Sequence, residues 1–529
     1  MEEIRYNDLY TTSACRDLLK LNKNIELKNL LSDDRIRKYT IKISNDLNYN
    51  FAAKRVDGEI LDLLQKLADE QQVVEKYKCL LKGSIMNPGE NRKVLHHLTR
   101  REPGNKGSLE IDDLENFYRS EQERIYSFAD ELHSGKIKGS TGKTFESVVQ
   151  IGIGGSDLGP RALYMALENL VANDKQKMTA HFISNIDPDD SNFVFSRIDP
   201  ESTLFILVSK SGTTQETLTN MKLIVKKLKS RGINPSKHIL TVTARNSPIS
   251  KPDDYLKTFY IDDFIGGRYS VTSAVGGVVL SLAFGRDFFS ELLLGAGKTD
   301  QRALEIDILK NASLMDALIG VYERNFLGLP STAILPYSRA LSRFPAHLQQ
   351  VDMESNGKSV NRYGKPLTYS TGPLIFGEPG TNGQHSFFQF LHQGSDIIPL
   401  QFIGFKEPQS EFDEIIEGST NQTKLNANLA AQITAFAVGK ENENKTKNFP
   451  GNRPSSLIHG KKLTPEALGA LLAHYENKVM FQGFIWNINS FDQEGVQLGK
   501  ILAKSVLSGQ SKDQTLNAFA EILEIRNKQ

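Results

Sequence analysis

The amino-acid sequence predicts an α/β protein with two domains, each containing a parallel-rich sheet covered by helices on both faces. The first observation is the length of 529 residues, which exceeds what one hydrophobic core usually supports. The second is a set of short β-branched runs that end in glycine-rich or hydroxyl-rich loops, and the third is the helical spacing that follows these loops. Continuous apolar strands that alternate with helices are typical of parallel sheets buried on both faces.

Residues 1 to about 145 are predicted to form a helical N-terminal layer. Leucine, lysine, glutamate and aspartate recur there at helical spacing, as in residues 60–67, and few β-branched runs interrupt them. The composition changes at residue 147, where the first predicted sheet begins. Its strands are expected at 147–153, 203–208 and 238–243. Helical patterns follow the first two of these strands, from Pro160 and over residues 218–225.

The second predicted sheet has weaker signals, with strands expected at 331–336 and 397–403. Between the two sheets, residues 271–285 are weakly polar but too short for a membrane helix, and we expect them in the core. A loop is predicted at 440–456, and helical spacing returns from residue 492. The expected segments are a helical N-terminal segment at 1–120, a first α/β domain at 121–290, a second α/β domain at 291–510 and a C-terminal helical tail at 511–529.

Charge and cysteine content limit the partners and compartments that the sequence favours. With 64 Lys and Arg against 63 Asp and Glu, the net charge of +1 creates no general field for nucleic acid or an anionic membrane, so we expect neither as a partner. Cys15 and Cys79 lack the spacing of a disulfide framework or a metal cluster, and no other metal motif is present, so we expect no metal and a cytoplasmic location. The N-terminus has neither the basic start nor the apolar core of a signal peptide.

The segment 349–358 is the strongest candidate for chemistry, because it places a carboxylate among amides and a lysine on a stretch with the pattern of an amphipathic helix. Glu354 is our candidate for a catalytic base. Gln350 lies four residues earlier, so on a helix both side chains share one face and could reach one small ligand. The alternative is a solvated acidic position near a helix end, which is the usual environment of a glutamate.

Two strand-to-helix junctions are candidate phosphate-binding loops. Residues 152–160 include Gly155 and Ser156, and backbone N–H groups at a helix start favour an anion, although Asp157 breaks the dinucleotide-binding pattern and a tight turn without a ligand is the alternative. Residues 209–217 combine five hydroxyls with a lysine. Thr213 and Glu216 also fit a capping box, which would explain part of this second pattern without a ligand. The candidate ligand residues in it are Ser209, Lys210, Ser211, Thr214 and Thr217.

Four further residues have side chains suited to proton transfer or charge stabilisation. Arg268 follows two glycines and would offer fixed donors to a developing oxyanion. His385 follows a turn-rich loop and could move protons near neutral pH. Gln493 and Lys500 are seven residues apart, so on one helix they would face the same cleft. Each has an ordinary alternative: a surface arginine, a loop histidine without a role, or a solvated lysine.

Taken together, these segments resemble the glucose-6-phosphate isomerase family, also called phosphoglucose isomerase. The matching blocks are GIGGSDLGP at 152–160, SKSGTTQET at 209–217, GGRYS at 266–270, QQVDMESNGK at 349–358, GTNGQHSF at 380–387, FPGNRPS at 449–455 and FDQEGVQLGK at 491–500. They occur in the family's order over about two thirds of the chain. Several such blocks together are specific, whereas any one alone is not.

The resemblance implies two three-layer SIS-type (sugar-isomerase) α/β domains, a homodimer, no metal and no cofactor. It implies reversible interconversion of glucose 6-phosphate and fructose 6-phosphate, in glycolysis and gluconeogenesis. By resemblance, Glu354 is the base that moves a proton between C1 and C2 through a cis-enediol, and Arg268 stabilises the enediolate. His385, shared across subunits, and Lys500 assist ring opening. The family's phosphate cradle corresponds to the five residues named above in 209–217, and its other substrate contacts correspond to Gly155, Ser156, Gln350 and Gln493.

Two departures from the family pattern are visible. Glu494 stands where the family usually has Trp, and residues 87–96 follow the family's N-terminal motif only loosely, so we assign them no function. Two alternatives stay open. One is a dual-specificity isomerase that also accepts mannose 6-phosphate, and the other is a non-catalytic sugar-phosphate sensor. The presence of Glu354, His385 and Lys500 argues against the sensor.

Overall fold

The structure is a computed structural model that describes residues 4–21, 24–101, 109–170 and 176–525. It divides into two compact units, Met1–Ser490 and Phe491–Gln529. The sheets lie in the first unit, and the second consists of helices in its described part. The last four residues of the predicted C-terminal tail, 526–529, lie outside the described residues. The predicted domain boundaries at 120, 290 and 510 stay predictions.

The strands of the described residues form two large sheets and one small hairpin. In chain order they are β1 (Thr40–Lys42), β2 (Leu47–Asn50), β3 (Ile85–Asn87), β4 (Arg92–Lys93), β5 (Ser147–Ile151), β6 (Thr179–Ile183), β7 (Thr203–Val208), β8 (Ile239–Thr243), β9 (Lys257–Tyr260), β10 (Ser331–Tyr337), β11 (Leu374–Phe376), β12 (Leu400–Phe405) and β13 (Ser455–Gly460).

The first sheet is five-stranded and parallel throughout, in the order β6-β5-β7-β8-β9. The strands predicted at 147–153, 203–208 and 238–243 are confirmed as β5, β7 and β8. Every residue of the central strand β7 is buried, as expected for a strand covered on both faces. The outer strands β6 and β9 were not predicted, and each leaves its first residue partly or fully exposed.

The second sheet is mixed, in the order β1-β2-β13-β12-β10-β11. Strands β10 to β13 pair in parallel, and β10 and β12 confirm the strands predicted at 331–336 and 397–403. Strands β1 and β2 form an antiparallel hairpin that joins β13 from the N-terminal layer. The prediction of a purely helical N-terminal layer is therefore wrong at this hairpin. The pairing joins segments about 400 residues apart, so local spacing gives no signal for it.

Helices make up most of the remaining described secondary structure. In chain order they are α1 (Ser13–Lys20), α2 (Leu27–Leu30), α3 (Asp33–Lys38), α4 (Gly58–Glu70), α5 (Val73–Leu81), α6 (Leu109–His133), α7 (Leu158–Leu167), α8 (Pro188–Phe195), α9 (Gln215–Ser230), α10 (Ala274–Phe284), α11 (Arg286–Arg302), α12 (Ala312–Asn325), α13 (Phe344–Leu348), α14 (Phe388–Gln393), α15 (Asn421–Val438), α16 (Pro465–Ile485), α17 (Gln497–Leu507) and α18 (Gln514–Ile522). Helix α10 is buried all round, as expected for residues 271–285. Among the described residues, no helix is long and apolar enough to cross a membrane.

Helix α16 is the central platform of the first unit, since 20 of its 21 residues are buried and it packs against α11 and α12. Two of its charged side chains are paired inside the core. Glu476 forms an ion pair with Arg100, and Lys478 Nζ lies 3.2 Å from a carboxylate oxygen of Asp316. Paired buried charges of this kind are costly to break, because removal of one partner leaves the other uncompensated. The helix therefore offers a rigid support for the residues packed on it.

Candidate active site

Glu354 lies at the end of a π-helical turn, Gln349–Glu354, that continues α13. The sequence predicts an amphipathic helix here, and the structure confirms a helix but with the wider i to i+5 hydrogen bonding that often marks functional sites. The Glu354 side chain is 24% exposed, so it is accessible from solvent. Gln350 extends toward the glycine loop at 154–156. A Cβ added to Gly154 would lie only 3.2 Å from Gln350 Nε2.

Arg268 is only 2% exposed and is surrounded by acceptors. It projects from a 3-10 turn, Gly267–Tyr269. Its Nη1 lies 3.5 Å from Glu354 Oε2, which forms the ion pair of the site. Its Nε donates a hydrogen bond of 2.6 Å to Ser355 Oγ, and its Nη2 donates one of 2.5 Å to the carbonyl of Ser490. The alternative of a surface arginine is therefore wrong.

The glycine loop at 154–156 packs directly on the turn that carries Arg268. A Cβ on Gly155 would lie 2.1 Å from the carbonyl oxygen of Gly267, a distance that no side chain can occupy. The close approach explains the need for glycine at this position. Ser156 follows in the same 3-10 turn, Gly154–Ser156. The structure thus brings Gly155, Ser156 and Gln350 together with the Arg268–Glu354 pair.

The hydroxyl loop (residues 209–217) lies between β7 and α9 and is tied to the same region. Lys210 Nζ donates hydrogen bonds to the backbone carbonyls of Ile265, at 3.0 Å, and Asp263, at 3.4 Å. Both carbonyls belong to the segment that leads to Arg268. Burial lowers the pKa of Lys210, while the neighbouring carboxylate of Asp263 opposes that shift. The lysine is therefore held in place beside the turn rather than extended into solvent.

The hydroxyls of this loop are bonded mostly to one another. Ser209 Oγ lies 3.1 Å from Thr214 Oγ1, and Thr213 Oγ1 donates to Ser211 Oγ at 2.9 Å. Thr214 is the N-cap of α9 but makes no side-chain cap hydrogen bond within the described residues. The capping-box interpretation of Thr213 and Glu216 is therefore wrong. Thr217 Oγ1 is buried and has no hydrogen-bond partner in the described part of the chain.

Three predicted residues remain: His385 belongs to the first unit, and Gln493 and Lys500 belong to the second. His385 ends a 3-10 turn, Asn382–His385, and is exposed. It forms no hydrogen bond or ion pair with the candidates described above, within the residues that the structure describes. Gln493 and Lys500 belong to the second unit, and Lys500 lies on α17. Gln493 precedes that helix with a non-helical ψ of 47°, so the prediction that both residues share one helix face is wrong.

Three residues that contact Arg268 or its neighbours are not among the predicted site residues. Ser355 and Tyr269 contact each other, with Ser355 Oγ 2.8 Å from the Tyr269 hydroxyl. Ser490 supplies the carbonyl acceptor and also donates from its Oγ to Asn356 Oδ1 at 2.7 Å. Ser355 and Tyr269 are sequence neighbours of Glu354 and Arg268, and this adjacency was the available signal. Ser490 lies 222 residues from Arg268 and had none.

Comparisons with known proteins give a consistent result. A family model described as phosphoglucose isomerase matches residues 50–522. The chain is 60% identical over 505 residues to a glucose-6-phosphate isomerase of Treponema denticola, covering 95% of each chain. It is 49% identical over 526 residues to one of Borreliella afzelii, covering 98% of this chain and 99% of that one. A crystal structure of a glucose-6-phosphate isomerase from Chlamydia trachomatis is 41% identical, with a TM-score of 0.92, and covers 98% of this chain and 100% of that one.

These matches extend over nearly the whole chain, including both sheets and the segment that carries Glu354. The last comparison also confirms the expected SIS-type α/β architecture with parallel-rich sheets. Composition, fold, the arrangement of site residues and whole-length similarity agree. The chain belongs to the phosphoglucose isomerase family.

Proposed function

We propose that this chain catalyses the reversible isomerisation of D-glucose 6-phosphate and D-fructose 6-phosphate, a reaction of glycolysis and gluconeogenesis. This proposal rests mainly on the Arg268–Glu354 pair, with 3.5 Å between Nη1 and Oε2. Proton abstraction beside a carbonyl needs a carboxylate base and a cation where negative charge develops. The pair supplies both groups, and the names of the relatives support the substrate.

The proposed step begins with the open-chain aldose. Glu354 removes the proton at C2, the C2–H electron pair forms the C1=C2 double bond, and negative charge moves to O1. Arg268 stabilises this charge as the cis-enediolate forms. Glu354 then returns the proton to C1, while the O2 proton is transferred to O1 and the C2 carbonyl of the ketose forms. A buried, fixed guanidinium suits this role because its charge costs little reorganisation in the transition state.

We assign the phosphate to the hydroxyl loop. Hydroxyls that are bonded to one another, together with the unpartnered Thr217 Oγ1, can turn toward a bound phosphate. The remaining proposed contacts to the sugar are Gly155, Ser156, Gln350 and Gln493. The orphan Oε1 of Gln350, which has no partner among the described residues, supports its place in this set.

The homodimer, the shared histidine and the role of Lys500 also belong to the proposal. His385 and Lys500 would assist ring opening and closing, with His385 reaching the site of the other subunit. The exposure of His385 supports an intersubunit role. Co-expression of His385→Ala with Glu354→Gln tests it, because a mixed dimer would keep one of its two sites intact. Random pairing makes about half of the dimers mixed, so the co-expressed protein should recover roughly a quarter of the activity. Absence of recovery in verified mixed dimers would contradict the shared site.

We also propose a cytoplasmic location, supported by Cys15 and Cys79, which are both free thiols. Fractionation of the source cells tests this location. Recovery of the protein outside the cytoplasmic fraction would contradict it.

The isomerase itself is tested with the purified chain in EDTA. Fructose 6-phosphate is supplied, and glucose 6-phosphate is read through a coupled NADP-linked dehydrogenase. We expect turnover by the wild type and its loss in Glu354→Gln. A folded wild type that binds the sugar phosphate without turnover would instead favour the sensor, and parallel conversion of mannose 6-phosphate would favour the dual isomerase. The relatives are named for the glucose 6-phosphate reaction, so neither alternative is favoured.

A further inference from the structure

We infer that Ser355 is a positioning residue that holds the guanidinium of Arg268 in its reactive orientation. The inference rests on the proposed function, in which Arg268 stabilises the enediolate. Ser355 follows the proposed base directly in sequence and is fully buried, with no exposed surface. Its hydroxyl accepts the 2.6 Å hydrogen bond from Arg268 Nε.

The planar guanidinium is fixed at two separate edges. Ser355 Oγ accepts a hydrogen bond from Nε, and the Ser490 carbonyl accepts one of 2.5 Å from Nη2. Two acceptors at different nitrogens determine the plane of the guanidinium and leave it little freedom to rotate. In that orientation Nη1 faces Glu354 Oε2. Loss of the Ser355 acceptor would therefore free one edge and let the charge move away from the reacting oxygen.

Ser355 is itself held from the other side. The Tyr269 hydroxyl lies 2.8 Å from Ser355 Oγ, and the Tyr269 ring stacks on the buried His96 with 4.8 Å between ring centroids. Burial lowers the pKa of His96 well below its usual range, so this ring is neutral near pH 7. An uncharged aromatic support fixes the tyrosine without adding another positive charge beside Arg268.

The second acceptor is equally constrained. Ser490 Oγ donates to Asn356 Oδ1 at 2.7 Å, and Asn356 Nδ2 donates to the carbonyl of Val479 on α16 at 3.0 Å. A Cβ on Gly483 of α16 would lie 1.9 Å from Ser490 Oγ, so the helix backbone approaches this serine closely. The arginine is thus anchored to the rigid helix through one acceptor and to the proposed base segment through Ser355.

A purely structural role for Ser355 makes a different prediction. Burial of an arginine Nε without an acceptor costs stability whether or not the arginine takes part in the reaction. A positioning role lowers kcat in protein that is still folded, with little change in KM, because the misplaced charge acts mainly in the transition state. The experiment must therefore separate kcat from stability.

The test compares Ser355→Ala and Ser355→Cys with the wild type in the fructose 6-phosphate assay. The cysteine variant keeps the volume of the side chain but provides only a weak acceptor, so it stays informative if the alanine variant fails to fold. We expect kcat to fall about tenfold in both variants with KM within about twofold, since sub-ångström misplacement of a charged group is costly to the rate. Ser281→Ala is the matched control, because Ser281 is fully buried on α10 and its Oγ has no partner within the described residues.

The Arg268→Lys background decides whether Ser355 acts through Arg268. We expect Ser355→Ala to lower kcat by less than about twofold there, because the interaction that it removes is already lost. A wild-type kcat in Ser355→Cys would overturn the inference, and so would a fall in kcat on Ser355→Ala that stays about tenfold in the Arg268→Lys background. Either result would leave the proposed function intact. Absence of isomerase activity in the folded wild type would instead remove the proposed function, and this inference with it.

Discussion

The hydroxyl loop and the Arg268–Glu354 pair belong to one candidate site but are built differently. In the loop, Ser211 and Thr213 are exposed, and the hydroxyls bond mainly within the loop. Arg268 and Ser355 are buried, and their hydrogen bonds reach residues as far away in sequence as Ser490. The hydroxyl loop can exchange its internal hydrogen bonds for bonds to a ligand at low cost, whereas the Arg268–Glu354 pair is fixed by the core.

This difference matches the two tasks of the proposed reaction. A phosphate must bind and leave, and the exposed hydroxyls of Ser211 and Thr213 can bind it without a large desolvation cost. A transient enediolate is stabilised best by a charge that is already oriented in a region with little water. We therefore expect changes in the loop to act mainly on KM and changes at the buried pair to act mainly on kcat.

After the loss of the proposed base itself, the largest expected effect is at Arg268. In Arg268→Ala, kcat should fall by about 10²- to 10³-fold, as on removal of an oxyanion-stabilising group in other enzymes. Steady-state kinetics with fructose 6-phosphate measures this, and thermal unfolding confirms that the variant is folded. A raised KM with unchanged kcat would break the comparison, because the buried pair would then act in binding.

Lys210 tests the loop. In Lys210→Ala, KM should rise about tenfold while kcat stays within about threefold, because the lost cation contacts the phosphate in the substrate and the transition state alike. Lys226→Ala on the exposed face of α9 is the control and should change neither constant. If kcat falls in Lys210→Ala as much as in the arginine variant, the division of tasks is wrong.

Thr217 gives a smaller effect in the same direction. Thr217→Val keeps the shape but removes a buried hydroxyl without a partner in the described residues, so KM should rise roughly threefold with no loss of stability. Steady-state kinetics and thermal unfolding together check this expectation. An unchanged KM would show that this hydroxyl faces the core rather than the phosphate.

The remaining prediction concerns the pH dependence of stability in the buried region, where we expect no large change in activity. Burial raises the pKa of Asp352 to about 7, Lys478 opposes the shift and Asp316 adds to it. A carboxyl whose pKa is higher in the folded than in the unfolded chain binds more protons when folded, so it lowers stability as pH rises from about 4 to about 7. Asp352→Asn removes this dependence, and its stability relative to wild type should increase by roughly 2 kcal/mol between pH 5 and pH 8. Denaturant unfolding at both pH values measures the free energy of unfolding. An equal change in that free energy between pH 5 and pH 8 in the variant and the wild type would contradict the prediction.

Much of the fold could be predicted from local patterns, as β7 shows: six consecutive apolar or β-branched residues, followed by a hydroxyl-rich loop, predict a strand buried on both faces, and all six are buried. The hairpin of β1 and β2 could not, because its place in the second sheet depends on pairing with β13. Spacing also failed for Gln493, which lies before α17 rather than on it. Among site residues, Glu354 and Arg268 were predictable by type and motif. The Ser490 acceptor of Arg268 was not, because long-range packing alone brings Ser490 to the arginine.

The most direct test of the account is proton exchange at C1 of fructose 6-phosphate in deuterium oxide, followed by NMR, for wild type and Glu354→Gln. The account predicts enzyme-dependent exchange in the wild type. It predicts a loss of at least about 10³-fold in Glu354→Gln, with sugar-phosphate binding retained. Exchange in Glu354→Gln within tenfold of the wild type would contradict the assignment of Glu354 as the base.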